Sequence, residues 1–189
     1  LLSPAPGGAP AYELRTETPV RGLISSQSDL LLQTPDQAVA VYVPSGAVFS
    51  ETVLVLQPRP PEMTPSRVSG GVERIHPIDL YGALPGGEAL SVVSLTKPLL
   101  LCFSVDDATW RLKEEGVVGL NVQRYDDLLQ PQAWIDLPAA KGWADRQVCA
   151  TTDHLSLFAL GFRQMSTPLP NLTIETPAGG PMPLDMYGL

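Results

Sequence analysis

Along the chain, apolar and polar residues alternate in short runs that break at proline and glycine. The last strongly apolar run before a proline-rich tail is Thr151 to Phe162. It opens on a polar turn, Thr151-Thr152-Asp153-His154. It then places Leu155, Leu157 and Ala159 on one face and Ser156, Phe158 and Leu160 on the other. Side chains of a strand alternate between faces, so this pattern predicts a strand covered on both sides. The same period-two reading predicts strands over Tyr12 to Glu17, Leu30 to Leu32, Ala38 to Val43 and Glu51 to Gln57. Further strands are expected over Arg74 to Leu84, Leu90 to Leu95, Pro98 to Val105, Leu120 to Tyr125, Ala133 to Leu137 and Arg146 to Thr151. Proline cannot donate to a central ladder, so Pro77 makes the strand around it either an edge or a bulged one.

One stretch has helical character, Ala108 to Glu115. Asp106 or Asp107 can cap its start and Gly116 its end. About ten short strands, separated by turn signals every ~8–12 residues, predict an all-β fold, an antiparallel β-sandwich. Three regions follow. Residues 1–11 are an extended, linker-like arm, expected to follow a removed leader or an upstream domain. Residues 12–163 form the sandwich, and the Pro85-Gly86-Gly87 turn leaves open a division into β-subdomains 12–84 and 88–163. Residues 164–189 are a proline-rich tail.

Composition sharpens this picture. Among 189 residues, 20 prolines and 16 glycines suit many turns. The net charge is −8, and the 12 basic residues are scattered. That argues against nucleic acid and anionic membrane surfaces as partners. No run reaches the ~18 apolar residues of a membrane-spanning helix.

Candidate chemistry is sparse. Two cysteines and two distant histidines, His76 and His154, cannot supply a metal framework of the usual spacing. No paired carboxylates, phosphate loop or separated triad can be named, and no cofactor is expected. Cys102 and Cys149 lie on two predicted strands. They are either two buried thiols or an inter-strand disulfide, which an exported setting favours. Asn171-Leu172-Thr173 fits the glycosylation triplet. Trp110, Trp134 and Trp143 leave room for a carbohydrate-binding module, unless they are core residues, as two of the three are expected to be.

Two stretches resemble known families. Val39 to Val48, containing Pro44-Ser45-Gly46-Ala47 and followed by the Glu51 to Gln57 strand, looks like the strand, Pro-x-Gly-Ala, strand pattern of the ZU-type β-domain. Netrin receptors, ankyrins, some death-domain scaffolds and many bacterial surface proteins carry that domain. Cys149 to Ala159 is similar to the autoproteolysis site of the GAIN domain of adhesion receptors, where a cysteine is soon followed by His-Leu-Ser/Thr-x-Phe-Ala. Trp134 and Trp143 upstream suit that module. The chain departs from it in lacking a second cysteine pair. The resemblance implies a β-sandwich and, in some members, self-cleavage before the Ser/Thr, here at Leu155–Ser156.

That chemistry has a physical route. Ser156 Oγ would attack the Leu155 carbonyl, an N→O acyl shift, with His154 as base. The bland alternative is that His154 caps a turn and Ser156 is an ordinary strand residue. The leading expectation is therefore an exported structural or adhesive module, extracellular or on a cell surface, whose partners are other copies of itself or other surface proteins. Its tail segment Leu172 to Thr176, anchored by Leu172 and Ile174, would pair with a free strand edge of another copy, and Pro77 marks one such edge. The arm at 1–11 could serve instead.

Overall fold

The computed structural model describes residues 18–90 and 93–165. Among these residues twelve strands form two antiparallel sheets packed face to face. In chain order they are β1 (Val20–Ile24), β2 (Leu30–Gln33), β3 (Val39–Val43), β4 (Thr52–Pro58), β5 (Val68–Ser69), β6 (Val72–Ala83), β7 (Leu99–Ser104), β8 (Val118–Asp126), β9 (Ala133–Asp136), β10 (Ala139–Ala140), β11 (Gln147–Thr152) and β12 (Leu157–Gln164). The larger sheet runs β1-β4-β6-β12-β8-β9, with β5 also paired to β6. The smaller runs β10-β11-β7-β3-β2. Strands from both sides of residue 84 sit in both sheets, so the described residues build one interleaved sandwich. The expected strand over 12–17 lies outside the described residues. In the Leu90 to Leu95 region, the described residues contribute no strand, and only the bridge Ala83–Ala89 forms beside it.

The core lies between the sheets. Leu54, Leu56, Ile78, Leu80, Phe158 and Leu160 enter it from the larger sheet, and Val39, Val41, Leu99, Leu101 and Phe103 from the smaller. Each fully buried side chain of this size adds roughly 1.5–3 kcal/mol of hydrophobic stabilisation. Gly82 shows how tightly the connection from β6 to β7 is laid in. A Cβ there would stand 2.3 Å from Val93 Cγ2, so only glycine lets Val93 pack onto the sheet. As the pattern of Thr151 to Phe162 predicts, β12 is covered on both faces: Phe158, Ala159 and Leu160 are all fully buried.

Of the two expectations at Pro77, the bulge is what forms. β6 is an interior strand between β4 and β12, and Pro77 marks no edge. Phe158 pairs with Ile78 but Leu160 pairs with Ile75, so β6 spends one more residue than β12 there. Without that extra residue Ile75 and Ile78 would face opposite sides. His76 absorbs it in the left-handed region, at φ 49°.

Helix α1 (Asp107–Glu114) joins β7 to β8. Asp106 is its cap, accepting from the Thr109 amide at 2.7 Å, and Gly116 leaves it at φ 72°. Among the described residues no helix is long and apolar enough to cross a membrane.

Candidate functional site

Three places carry the residues with chemistry: the β11–β12 corner, the disulfide between β7 and β11, and a groove beside α1.

At the corner, Thr152 holds the turn. Its hydroxyl accepts from the His154 amide at 3.2 Å and donates to the His154 carbonyl at 3.1 Å. The His154 ring points to solvent and meets Asp153, Nδ1 to Oδ1 2.5 Å. That contact, foremost, holds the Asp153 carboxyl below its usual pKa. Ser156 turns elsewhere. Its hydroxyl donates to the Tyr125 carbonyl at 2.9 Å, and its own carbonyl accepts from the Leu80 amide at 2.9 Å. Leu155 packs its side chain against the core. His154 and Ser156 are two residues apart in sequence, but the fold commits each to a different partner. A serine hydroxyl becomes a competent nucleophile when a base takes its proton. Here a backbone carbonyl receives that hydrogen.

Cys102 and Cys149 form a disulfide. They face each other across the β7–β11 ladder with Cα atoms 4.1 Å apart, in the buried part of the smaller sheet.

The three tryptophans part company, and none is fully buried. Trp134, on β9, is structural. Its Nε1 donates to the Pro65 carbonyl at 2.7 Å, and its ring meets Tyr125 at 5.4 Å between centroids. The Arg74 guanidinium lies 5.5 Å from the Trp134 ring. Arg74 itself is nearly buried, which lowers its pKa from the usual arginine value. It donates to Gln123 Oε1 at 2.9 Å, Ser69 Oγ at 2.8 Å and the carbonyls of Ser66 and Val72 at 3.0 and 3.1 Å. This network pins the loop between β4 and β6 to the outer face of the larger sheet.

Trp110 and Trp143 share a groove of about 600 Å³ between α1 and the β10–β11 loop, with Glu114, Gly142, Asp145 and Gln147 also lining it. Lys141 and Arg146 complete its rim. Trp110 and Glu114 lie one turn apart on α1, and Trp110 Nε1 donates to Glu114 at 2.8 Å. The Lys113 ammonium caps the Trp110 ring at 3.9 Å. The opposite wall is held by local tethers. Arg146 sits at φ 58°, pairs with Asp107 at the start of α1, and accepts from the Val105 amide at 3.0 Å through its carbonyl. Gln147 Oε1 accepts from the Ala144 amide at 3.1 Å. The disulfide lies beneath: a Cβ on Gly142 would stand 2.8 Å from Cys149 Sγ and 2.8 Å from Gln147 Oε1. Trp143, the next residue, remains 46% exposed.

Sequence reading named the tryptophans but did not pair two of them. The Trp110/Glu114 spacing on a capped helix was the one local signal. The other wall comes from a turn more than twenty residues downstream. Asn171, Leu172 and Ile174 lie outside the described residues. Among those described, no group of three or more His, Cys, Asp and Glu could hold a metal ion. No protein-family model matches the chain, and no curated protein matches it.

Proposed function

We propose that the chain is a structural or adhesive β-module of an extracellular or cell-surface assembly, linked to other copies through its terminal segments and without catalytic turnover. The observation that carries the reading is the side of the sandwich formed by β1 and β2, which no other described strand covers. Among the described residues each is the last strand of its sheet, and they lie side by side. Leu23 and Leu31 stand on them 50% and 54% exposed. Paired free edges with outward leucines are templates for strand addition. The tail segment Leu172 to Thr176 has the length of β1, 5 residues, and Leu172 and Ile174 alternate as anchors on one face would. This edge takes the place that the sequence assigned to Pro77. The disulfide supports an oxidising, exported setting. The ZU-type resemblance supports the same class.

The alternative, self-cleavage at Leu155–Ser156, draws support from the GAIN-like stretch alone. The separate commitments of the His154 ring and the Ser156 hydroxyl weigh against it.

A chain ending at Met165 keeps β12 whole and tests the tail. It is expected to remain folded but to sediment as a monomer under conditions where the full chain associates. Equal sedimentation of the two overturns the tail linkage. Intact mass tests the absence of cleavage. Fragments ending at Leu155 and beginning at Ser156, lost in Ser156→Ala, would establish the alternative.

A further inference from the structure

We propose that the groove between α1 and the β10–β11 loop binds a neutral carbohydrate, one pyranose ring stacking on Trp143. The inference rests on the groove alone, not on the assembly reading, and either can fail without the other.

A sugar ring offers two kinds of surface. Its axial C–H groups make an apolar face, and its equatorial hydroxyls donate and accept around the rim. A site for it therefore needs an aromatic platform with carboxylates, amides or amines at its edge, and room for a ring. Those parts converge here. Trp143 presents an indole that is half open to solvent. Asp145 and Glu114 supply acceptors, Gln147 and Lys141 supply donors, and Trp110 closes one end. Trp110 cannot be the platform, because one face is under Lys113 and the ring packs against the core. The space, about 600 Å³, falls within the ~300–1,000 Å³ of ordinary ligand sites.

Charge selects the ligand class. The groove and its edge balance three carboxylates, Glu114, Asp145 and Asp107, with three cations, Lys141, Arg146 and Lys113, Arg146 being paired with Asp107. Such a lining favours neither an anionic nor a cationic sugar. The indole platform would be wasted on a free ion.

The wall is also pre-organised, and a site held in shape loses less order on binding. The loop bearing Trp143 is seated by Gly142 on the disulfide, by Gln147 on the Ala144 amide, and by Arg146 on the start of α1. Arg146 accepts a left-handed backbone, φ 58°, to keep that seat. Residues held in such conformations cluster at ligand clamps.

The test uses the full chain with a panel of soluble neutral oligosaccharides built from glucose, galactose, mannose, xylose and N-acetylglucosamine. Heparin serves as the acidic comparator, and a tryptophan-rich peptide as the non-sugar comparator. Tryptophan fluorescence reports binding, and saturation-transfer NMR identifies the ring protons in contact. At least one neutral glycan is expected to bind saturably at micromolar to millimolar concentration. Trp143→Ala should weaken it by roughly tenfold or more, as truncating an aromatic anchor does. Trp143→Phe, which keeps a ring, should retain most of the affinity. Both variants should melt with the parent, since the side chain is outside the core. No binding across the neutral panel, binding by heparin or the peptide alone, or neutral-glycan binding indifferent to Trp143→Ala would each overturn the proposal.

Discussion

Arg74 is the residue on which the outer face of the larger sheet depends. It points away from the hydrophobic core, yet only 5% of it is exposed. The loop between β4 and β6 closes over it, and the guanidinium replaces its lost water with Gln123, the Ser69 hydroxyl and the backbone carbonyls of Ser66, Ser69 and Val72. Gln123 passes the chain on, donating to Asp136 at 2.6 Å. Removing one member of a buried network leaves the others without partners, which costs more than the bond itself. Arg74→Ala is expected to lose roughly 3 kcal/mol of stability in urea unfolding. Arg74→Lys should recover only part of it, because a single ammonium cannot reproduce the fork. A loss below about 1 kcal/mol for the alanine variant would show that the loop is held by something else. None of this was legible beforehand. In the sequence Arg74 is the polar member of an alternating pair, suited to a solvated face. Ser66, Ser69 and Val72 are near in sequence, but the groups that close the network are distant: Gln123 is 49 residues away, and Trp134, whose ring Arg74 meets, is itself held by a bond to Pro65 that spans 69. The Ser156 hydroxyl was hidden in the same way, since its acceptor, Tyr125, is 31 residues upstream.

The elements divide by how local their causes are. Helix α1 was legible at both ends because its signals are its own: Asp106 reaches Thr109, and Gly116 takes the positive φ that ends the helix. The cap gives a pH prediction. The Thr109 amide, first of all, holds the Asp106 carboxyl below its usual pKa. A folded pKa below the unfolded one means that the carboxylate contributes stability above about pH 4. That contribution is lost as pH falls through the folded value. Asp106→Ala should therefore cost about 1 kcal/mol near neutrality, less where solvent screens the cap. The gap between parent and variant should narrow in acid. Urea midpoints at about pH 7 and about pH 2.5, either side of the usual carboxylate range, check it. An equal gap at both would show that Asp106 acts through something other than its charge. The strand with Pro77 was legible only in part. Proline announced an irregularity, but whether it sits at an edge or in a bulge depends on β4 and β12, neither adjacent in sequence. The alternation of Ile75 and Ile78 was the overlooked clue, since an odd spacing between two core residues calls for an extra residue between them.

At the scale of the whole molecule, the all-β sandwich was readable because short alternating runs and turn residues are local properties repeated many times. The strand order was not, because it is set by which edges meet. The disulfide stands between these cases: two cysteines on two predicted strands permit a bridge, and only the β7–β11 register brings them face to face. Its contribution can be stated. The two strands are already neighbours over six ladder positions, Gln147–Ser104 to Thr152–Leu99, so the bridge creates no contact that pairing lacks. It acts mainly by limiting the unfolded chain. A closure over 47 residues corresponds to about 4 kcal/mol in the loop-entropy account. With a urea dependence of about 2 kcal/mol per molar, reduction should lower the unfolding midpoint by roughly 2 M while leaving the native sheet intact at low denaturant. The disulfide also underlies Gly142 and the wall that carries Trp143, so the reduced protein should show a changed Trp143 emission before the global transition, and Trp143→Phe should remove that early change. A midpoint indifferent to reductant would mean that the unfolded chain is already held compact in this region. An early change that survives Trp143→Phe would come from Trp110 or Trp134, and no early change in the parent would mean that the groove wall stands without the bridge.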